Sequence, residues 1–295
     1  MTDLSTALAL LASAFLGTAV VIANVGLRYL DPARGALVSI PSTTLLFGVL
    51  ALFLFRGEGW NATAFAIFAV VGLIFPALVT FLNFASNRLT GPTVAGTISS
   101  TTPLFAVFGA IFFLGEPLSP AAMAGTAAIV LGVVALMARG SDRPRAWAAW
   151  VILLPIAGAA IRGGAQAAVK GGLALWPDPF VAVLVGYTVS SVMIFAGNRA
   201  FVSRTSAPVP RTGASSDLRG IYWFIAVGIC NGLGMLAMYA ALNRGQVSVV
   251  SPLVATYPLF TLALSAIFLR EEKFGPRVLL GVALTVAGVV VLARA

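Results

Sequence analysis

The 295-residue sequence has no histidine, a single cysteine (Cys230) and few charges, 18 Lys and Arg against 9 Asp and Glu. No His and one thiol exclude a Cys/His metal site, an internal disulfide and a Cys–His catalytic pair. Soluble domains carry about 25% charged residues; with 9%, this chain cannot coat itself for water. Basic blocks interleaved with aromatics are also missing, so the net charge of +9 does not point to nucleic acid. Paired loop acids with a base or metal, which a membrane enzyme would need, are absent too, and no enzymatic activity, metal or cofactor is implied.

What the chain does have is apolar length: 60% hydrophobic residues and a mean hydropathy of +1.02. The runs are continuous, as membrane helices of about 20 residues require, and not the alternating segments of about 10 residues of a barrel. The expected fold is therefore all-α and integral to the membrane, with ten spans at 4–27, 36–55, 62–86, 92–114, 119–138, 148–170, 179–198, 220–242, 247–269 and 278–293. The apolar run up to Leu27 is too long for a cleaved signal segment and reads as the first span.

An internal repeat runs through these spans. Residues 101–116 (Thr-Thr-Pro-Leu-Phe…Phe-Leu-Gly-Glu) align without a gap to 256–271 (Thr-Tyr-Pro-Leu-Phe…Phe-Leu-Arg-Glu), seven positions of sixteen being identical. Beyond them Pro120, Gly125, Gly132-Val133-Val134 and Leu136 meet Pro276, Gly281, Gly288-Val289-Val290 and Leu292, and Asp31-Pro32 echoes Asp178-Pro179. The division is into 1–140 and 141–295, five spans each. Five is odd, so the copies enter the bilayer in opposite senses, the inverted-repeat plan of secondary transporters with a site at the midplane between halves.

These motifs, with Lys170 at the end of span six, resemble the ten-span EamA-type family of the drug/metabolite transporter superfamily over nearly the whole chain. The resemblance implies a basket of ten helices around a central cavity, in proteins that move amino acids, cofactors or other metabolites, often outward. The second half departs from the family pattern at Arg270 and Glu272, in a loop.

Ionisable residues inside spans mark function by default. Every acid falls in a loop or at a span end, whereas Arg162 sits well inside span six, with Gln166 and Lys170 following on the same helical stripe. A guanidinium stays charged, so it needs a partner or a wet cavity, and the substrate's own anionic group can be that partner. The alternative is contact with backbone carbonyls. Lys170 reads as an end-of-helix anchor. Pro103 and Pro258, near the middle of spans four and nine, remove a backbone N–H, free the carbonyls of Ser99 and Val254 and allow hinges. Asn24, Asn83, Thr97, Thr101, Asn231, Tyr239 and Tyr257 are the remaining candidates for cavity polarity, with helix packing as the competing role for each Asn.

The resulting expectation is a secondary transporter working by alternating access in the cytoplasmic membrane. Its partners are lipids and a small metabolite, an amino acid or related carboxylate, and it is compatible with a monomer. A carrier of a larger nucleotide- or flavin-like molecule and a non-transporting scaffold are the alternatives. Buried acids are missing, which argues against a cationic-drug antiporter. Thirteen basic residues (Arg28, Arg34, Arg88, Arg139, Arg143, Arg145, Arg199, Arg204, Arg211, Arg219, Arg270, Lys273, Arg277) fall in odd-numbered loops against four (Arg56, Lys170, Arg244, Arg294) on the other side. By the positive-inside rule this puts both termini outside the cytoplasm; the family resemblance puts them inside.

Overall fold

A computed structural model describes residues 3–55, 59–90, 92–117, 119–137, 149–205, 214–268 and 276–294. Among them lie thirteen α-helices, one short 3-10 turn (Ala149–Ile152) and no strand. The first half runs α1 (Asp3–Gly26), α2 (Pro32–Leu54), α3 (Ala62–Ile74), α4 (Ala77–Thr90), α5 (Pro92–Ser99), α6 (Thr102–Leu114) and α7 (Pro120–Met137). The second runs α8 (Leu153–Leu175), α9 (Pro179–Thr205), α10 (Ala214–Arg244), α11 (Val247–Val254), α12 (Tyr257–Phe268) and α13 (Pro276–Ala293).

Eight segments are long and apolar enough to cross a bilayer, and the two shorter apolar helices Pro120–Leu136 and Val278–Ala293 complete a count near ten. There are more helices than spans because spans three, four and nine are each broken in two. The break at Phe75–Pro76 in span three was not foreseen. It is stitched by Ser190 of α9, whose hydroxyl donates to the Gly72 carbonyl (2.6 Å) and accepts from the Ala77 amide (3.3 Å). Span six also differs from expectation. Helix α8 continues to Leu175, so Lys170-Gly171-Gly172 lies inside it, because the true stop is Pro177-Asp178-Pro179. Helix α10 starts earlier than expected, at Ala214, with Asp217 in its first turn, where a carboxylate suits the helix dipole. Glu271 and several of the basic loop residues, Arg139, Arg143, Arg145, Arg211, Arg270 and Lys273, lie outside the described residues.

The Asp-Pro echo has a local cause. Asp31 accepts from the Arg34 amide (3.0 Å) with Pro32 opening α2, and Asp178 accepts from the Phe180 (2.9 Å) and Val181 (3.2 Å) amides with Pro179 opening α9. Asp at the N-cap and Pro at the first helical position satisfy or remove amides that a helix start leaves unpaired.

The halves interlock rather than sit side by side. Helix α1 packs along α10 and α12, α2 against α9 and α10, α3 against α8 and α9, α6 against α8, and α7 against α13. Lipid supplies no hydrophobic force between helices, so such contacts depend on small residues and polar ties. Helices α7 and α13 meet through reciprocal glycines. A Cβ on Gly132 would lie 2.8 Å from the Gly281 carbonyl oxygen, and one on Gly281 would lie 2.9 Å from that of Gly132. Gly125 and Gly288 repeat the arrangement at 3.1 and 2.8 Å. Polar ties join other helices of the two halves: the Ser13 hydroxyl of α1 pairs with that of Thr256 between α11 and α12 at 2.9 Å, and Thr43 of α2 donates to the Gly228 carbonyl of α10 at 2.6 Å. Successive passes place the start of α1 and the ends of α6, α8, α10 and α13 on one side, here the terminal side. The opposite side carries the basic loops.

Candidate functional site

Between the halves lies a cavity of about 350 Å³, lined from spans one, three, four, five, six, eight and nine. An adjoining space of about 310 Å³ shares Leu16, Phe75, Asn83, Arg162, Asn231 and Met235 with it and extends past Ser39, Ala36 and Ala23 to Leu27, Pro32 and Phe224. Those last three stand at the basic-loop side, so the chamber reaches toward that face.

Two of the three broken spans, four and nine, bring matching breaks to the cavity wall. At each break the backbone turns in the same way: Thr101 N–H donates to Ile98 O and Leu104 N–H to Thr101 O, as Thr256 N–H donates to Leu253 O and Leu259 N–H to Thr256 O. The Thr101 and Thr256 hydroxyls return to those same Ile98 and Leu253 carbonyls, both at 2.7 Å. The carbonyls exposed at the end of α5 are all taken by hydroxyls, Thr97 O by Ser100 (2.6 Å), Ile98 O by Thr101 and Ser99 O by Thr102 (2.7 Å). The Ser99 carbonyl that Pro103 was expected to free is thus satisfied. The negative end of α5 is quenched, while the starts of α6 and α12, the positive ends of their dipoles, face the chamber through Thr102, Pro103 and Tyr257.

Arg162 enters from α8. Its Nε donates to the Thr102 hydroxyl at 3.4 Å, a long bond, and its buried Nη2 has no partner. One turn along, the buried Gln166 Oε1 also lacks a partner, as does the Ser251 hydroxyl in the same wall. Helix α8 comes this close to the α5–α6 break because of Gly163, where a Cβ would lie 2.6 Å from the Ala106 amide nitrogen and 2.8 Å from the Thr102 carbonyl oxygen. Asn83 faces α8 one turn earlier, its Oδ1 3.6 Å from where a Gly158 Cβ would be. Among the described residues no acid lines the chamber.

Of the expected site residues, Arg162, Gln166, Asn83, Asn231, Tyr239, Tyr257 and Pro103 converge on the cavity. Asn24, Thr97, Thr101 and Pro258 are not among its lining residues: Asn24 is exposed, and the Thr101 hydroxyl turns back onto its own helix. Sequence reasoning missed Thr102, the direct neighbour of Arg162, along with Ser99, Ser100 and Ser251. The signal for Thr102 was its place next to Pro103, but which of two adjacent threonines faces inward depends on the turn at the break. Lys170, read as an anchor, does bind backbone carbonyls, those of Leu242 (2.6 Å) and Gly245 (3.0 Å).

Comparison with known proteins bears on the fold and the family. A solved crystal structure superposes on 100% of this chain and 99% of its own with a TM-score of 0.82 at 19% sequence identity, a likeness of fold. An uncharacterized protein of Methanocaldococcus jannaschii is 38% identical over 60 residues, a match that spans 20% of this chain and 43% of that one. The sequence model of the EamA-like transporter family matches twice, over residues 4–138 and again over residues 149–294. With both halves matched, the chain belongs to the EamA-like transporter family, as a multi-pass membrane protein.

Proposed function

We propose that this transporter carries a small organic anion or zwitterion, best an amino acid or related carboxylate, by alternating access across the cytoplasmic membrane. The observation that carries the reading is the Arg162 guanidinium, with a buried Nη2 lacking any partner in a chamber lined by no acid among the described residues. Leaving a buried charge uncompensated costs several kcal/mol, and a bound carboxylate would offset that cost. The half-helix starts at Thr102 and Tyr257 add positive potential at the same level, as in other inverted-repeat carriers. Gln166 Oε1 is an acceptor suited to an ammonium or hydroxyl beside the carboxylate. The compartment around Arg162, about 350 Å³, lies at the small end of ligand sites and suits an amino-acid-sized molecule. The positive-inside rule turns the open face toward the cytoplasm.

The test is a thermal-shift panel of amino acids, 2-oxo acids, hydroxy acids and nucleotides on the purified protein, followed by uptake of the best ligand into proteoliposomes. Stabilisation by carboxylates that disappears in Arg162→Gln, with loss of uptake, is the expected result. Equal uptake by that variant would remove Arg162 from the site, and stabilisation by nucleotides alone would favour the larger-substrate reading.

A further inference from the structure

On the side of the membrane opposite the chamber's mouth, two charged side chains grip one turn. At the end of α6, in the first half, the Glu116 carboxylate accepts from the Val247 amide (2.8 Å), the Ser248 amide (3.1 Å) and the Ser248 hydroxyl (2.9 Å). From α8, Lys170 Nζ donates to the Leu242 and Gly245 carbonyls at 2.6 and 3.0 Å. The turn between them ends α10 and begins α11. An anion therefore sits at a helix start and a cation at a helix end, each complementing the local dipole. All eight residues of α11 are buried behind this grip, and Ser5 of α1 is wedged beneath it, fully buried, its Oγ 2.7 Å from where a Gly245 Cβ would be.

The gripped elements are those that build the site: α6 carries Thr102, α8 carries Arg162, and α10 and α11 carry Asn231 and Ser251. Opening the chamber on the terminal side requires α6 and α8 to separate from the α10–α11 turn, which breaks these contacts. The two ends are also chemically unequal. In the register that pairs Asp31 with Asp178, the first-half position matching Lys170 is Ala23, so the lysine is present in one half alone.

We propose that Glu116 and Lys170 form the gate of the terminal side, a clasp that holds this end shut in the resting protein and releases when the chamber turns to open there. The proposal rests on the alternating-access reading and names the contact that opposes it. On release the end of α10 and the start of α11 lose the charges that complement their dipoles, so removing one clasp residue lowers the cost of the open state relative to the closed one.

The test uses the full chain with Cys230→Ser and one of two reporter cysteines, labelled in detergent with a hydrophilic maleimide. Leu27→Cys stands at the open mouth and Ser5→Cys beneath the clasp. With the clasp intact, Leu27→Cys labels and Ser5→Cys does not. Adding Glu116→Gln or Lys170→Met should raise the Ser5→Cys rate at least tenfold and slow Leu27→Cys. Ser248→Ala, which removes one of the three carboxylate bonds, should give an intermediate rate and serves if the stronger variants do not fold. Arg244→Gln, whose exposed side chain bonds its own helix at Ala240, should change neither rate. A Ser5→Cys that stays silent in every clasp variant overturns the gate and leaves the anion site, read by ligand-induced melting shifts, standing. Faster Ser5→Cys labelling with Leu27→Cys unchanged overturns the gate together with alternating access, since the end then frays without a reciprocal closure.

Discussion

Replacing Arg162 by Met separates a binding role from a structural one, because the two predict opposite stability changes. Methionine keeps the unbranched stem and removes the charge. The one bond lost, Nε to Thr102 Oγ1 at 3.4 Å, is longer than the usual N–H···O range, so its loss costs less than the roughly 1 kcal/mol of a normal bond. Thr102 is not orphaned, since its hydroxyl keeps the Ser99 carbonyl at 2.7 Å. On the other side, the substitution removes an unsatisfied buried donor, worth about 1–3 kcal/mol. The net expectation is a stabilisation of about 1–2 kcal/mol, or a rise in Tm of roughly 2–6 °C for a chain of this size. Ligand at 100 times its Kd stabilises the native protein by about 2.7 kcal/mol, and in Arg162→Met this increment should fall to near zero. Thermal unfolding in detergent, with and without the best carboxylate of the panel, reads both quantities. A variant that melts more than about 4 °C lower without ligand, or that keeps the full ligand shift, would falsify the reasoning and make the guanidinium a structural tie.

Three further outcomes can be checked separately. Gly163→Ala drives a methyl into the Ala106 amide and Thr102 carbonyl, which should cost about 1–3 kcal/mol and weaken ligand binding by displacing Thr102 from Arg162; Gly164→Ala, with nothing within 4 Å, should be neutral or stabilise by up to about 1 kcal/mol. Ser190→Ala strips two partners from the break in span three and should lower stability by about 1–3 kcal/mol in chemical or thermal melts, with little effect on ligand affinity because Ser190 does not line the chamber. Alkaline-phosphatase and fluorescent-protein fusions at the C-terminus should report it outside the cytoplasm, with phosphatase active and fluorescence absent; the reverse pattern would mean that loop charge does not set the orientation.

Some of the site was legible because the bilayer makes certain residues conspicuous. An arginine amid apolar residues is costly wherever the helix turns, so Arg162 could be found without knowing its neighbours. Gln166 followed from the four-residue period alone. Asn24 and Thr101 stand away from the chamber for the opposite reason: a polar residue at a helix end, or next to a break, faces whichever way the local turn directs it. Asn24 ends up exposed, and Thr101 folds its hydroxyl onto Ile98 while Thr102 meets Arg162. The break at Phe75–Pro76 was hidden because span three is unbroken in hydropathy, and its repair comes from Ser190, 118 residues away from Gly72.

Composition and order along the chain determined the solvent, the fold class, the repeat and the family, since each depends on apolar length, residue spacing and local capping that a linear sequence displays. The Asp-Pro caps and the matched Thr-x-Pro breaks belong to that layer. Tertiary structure alone decided which polar groups share a chamber, which helix dipoles remain unquenched there and which end is shut. Glu116 read as a repeat motif and Lys170 as a helix anchor until the fold brought both to the α10–α11 turn. Convergence of this kind depends on contacts between residues more than 70 positions apart, and no period or propensity encodes those.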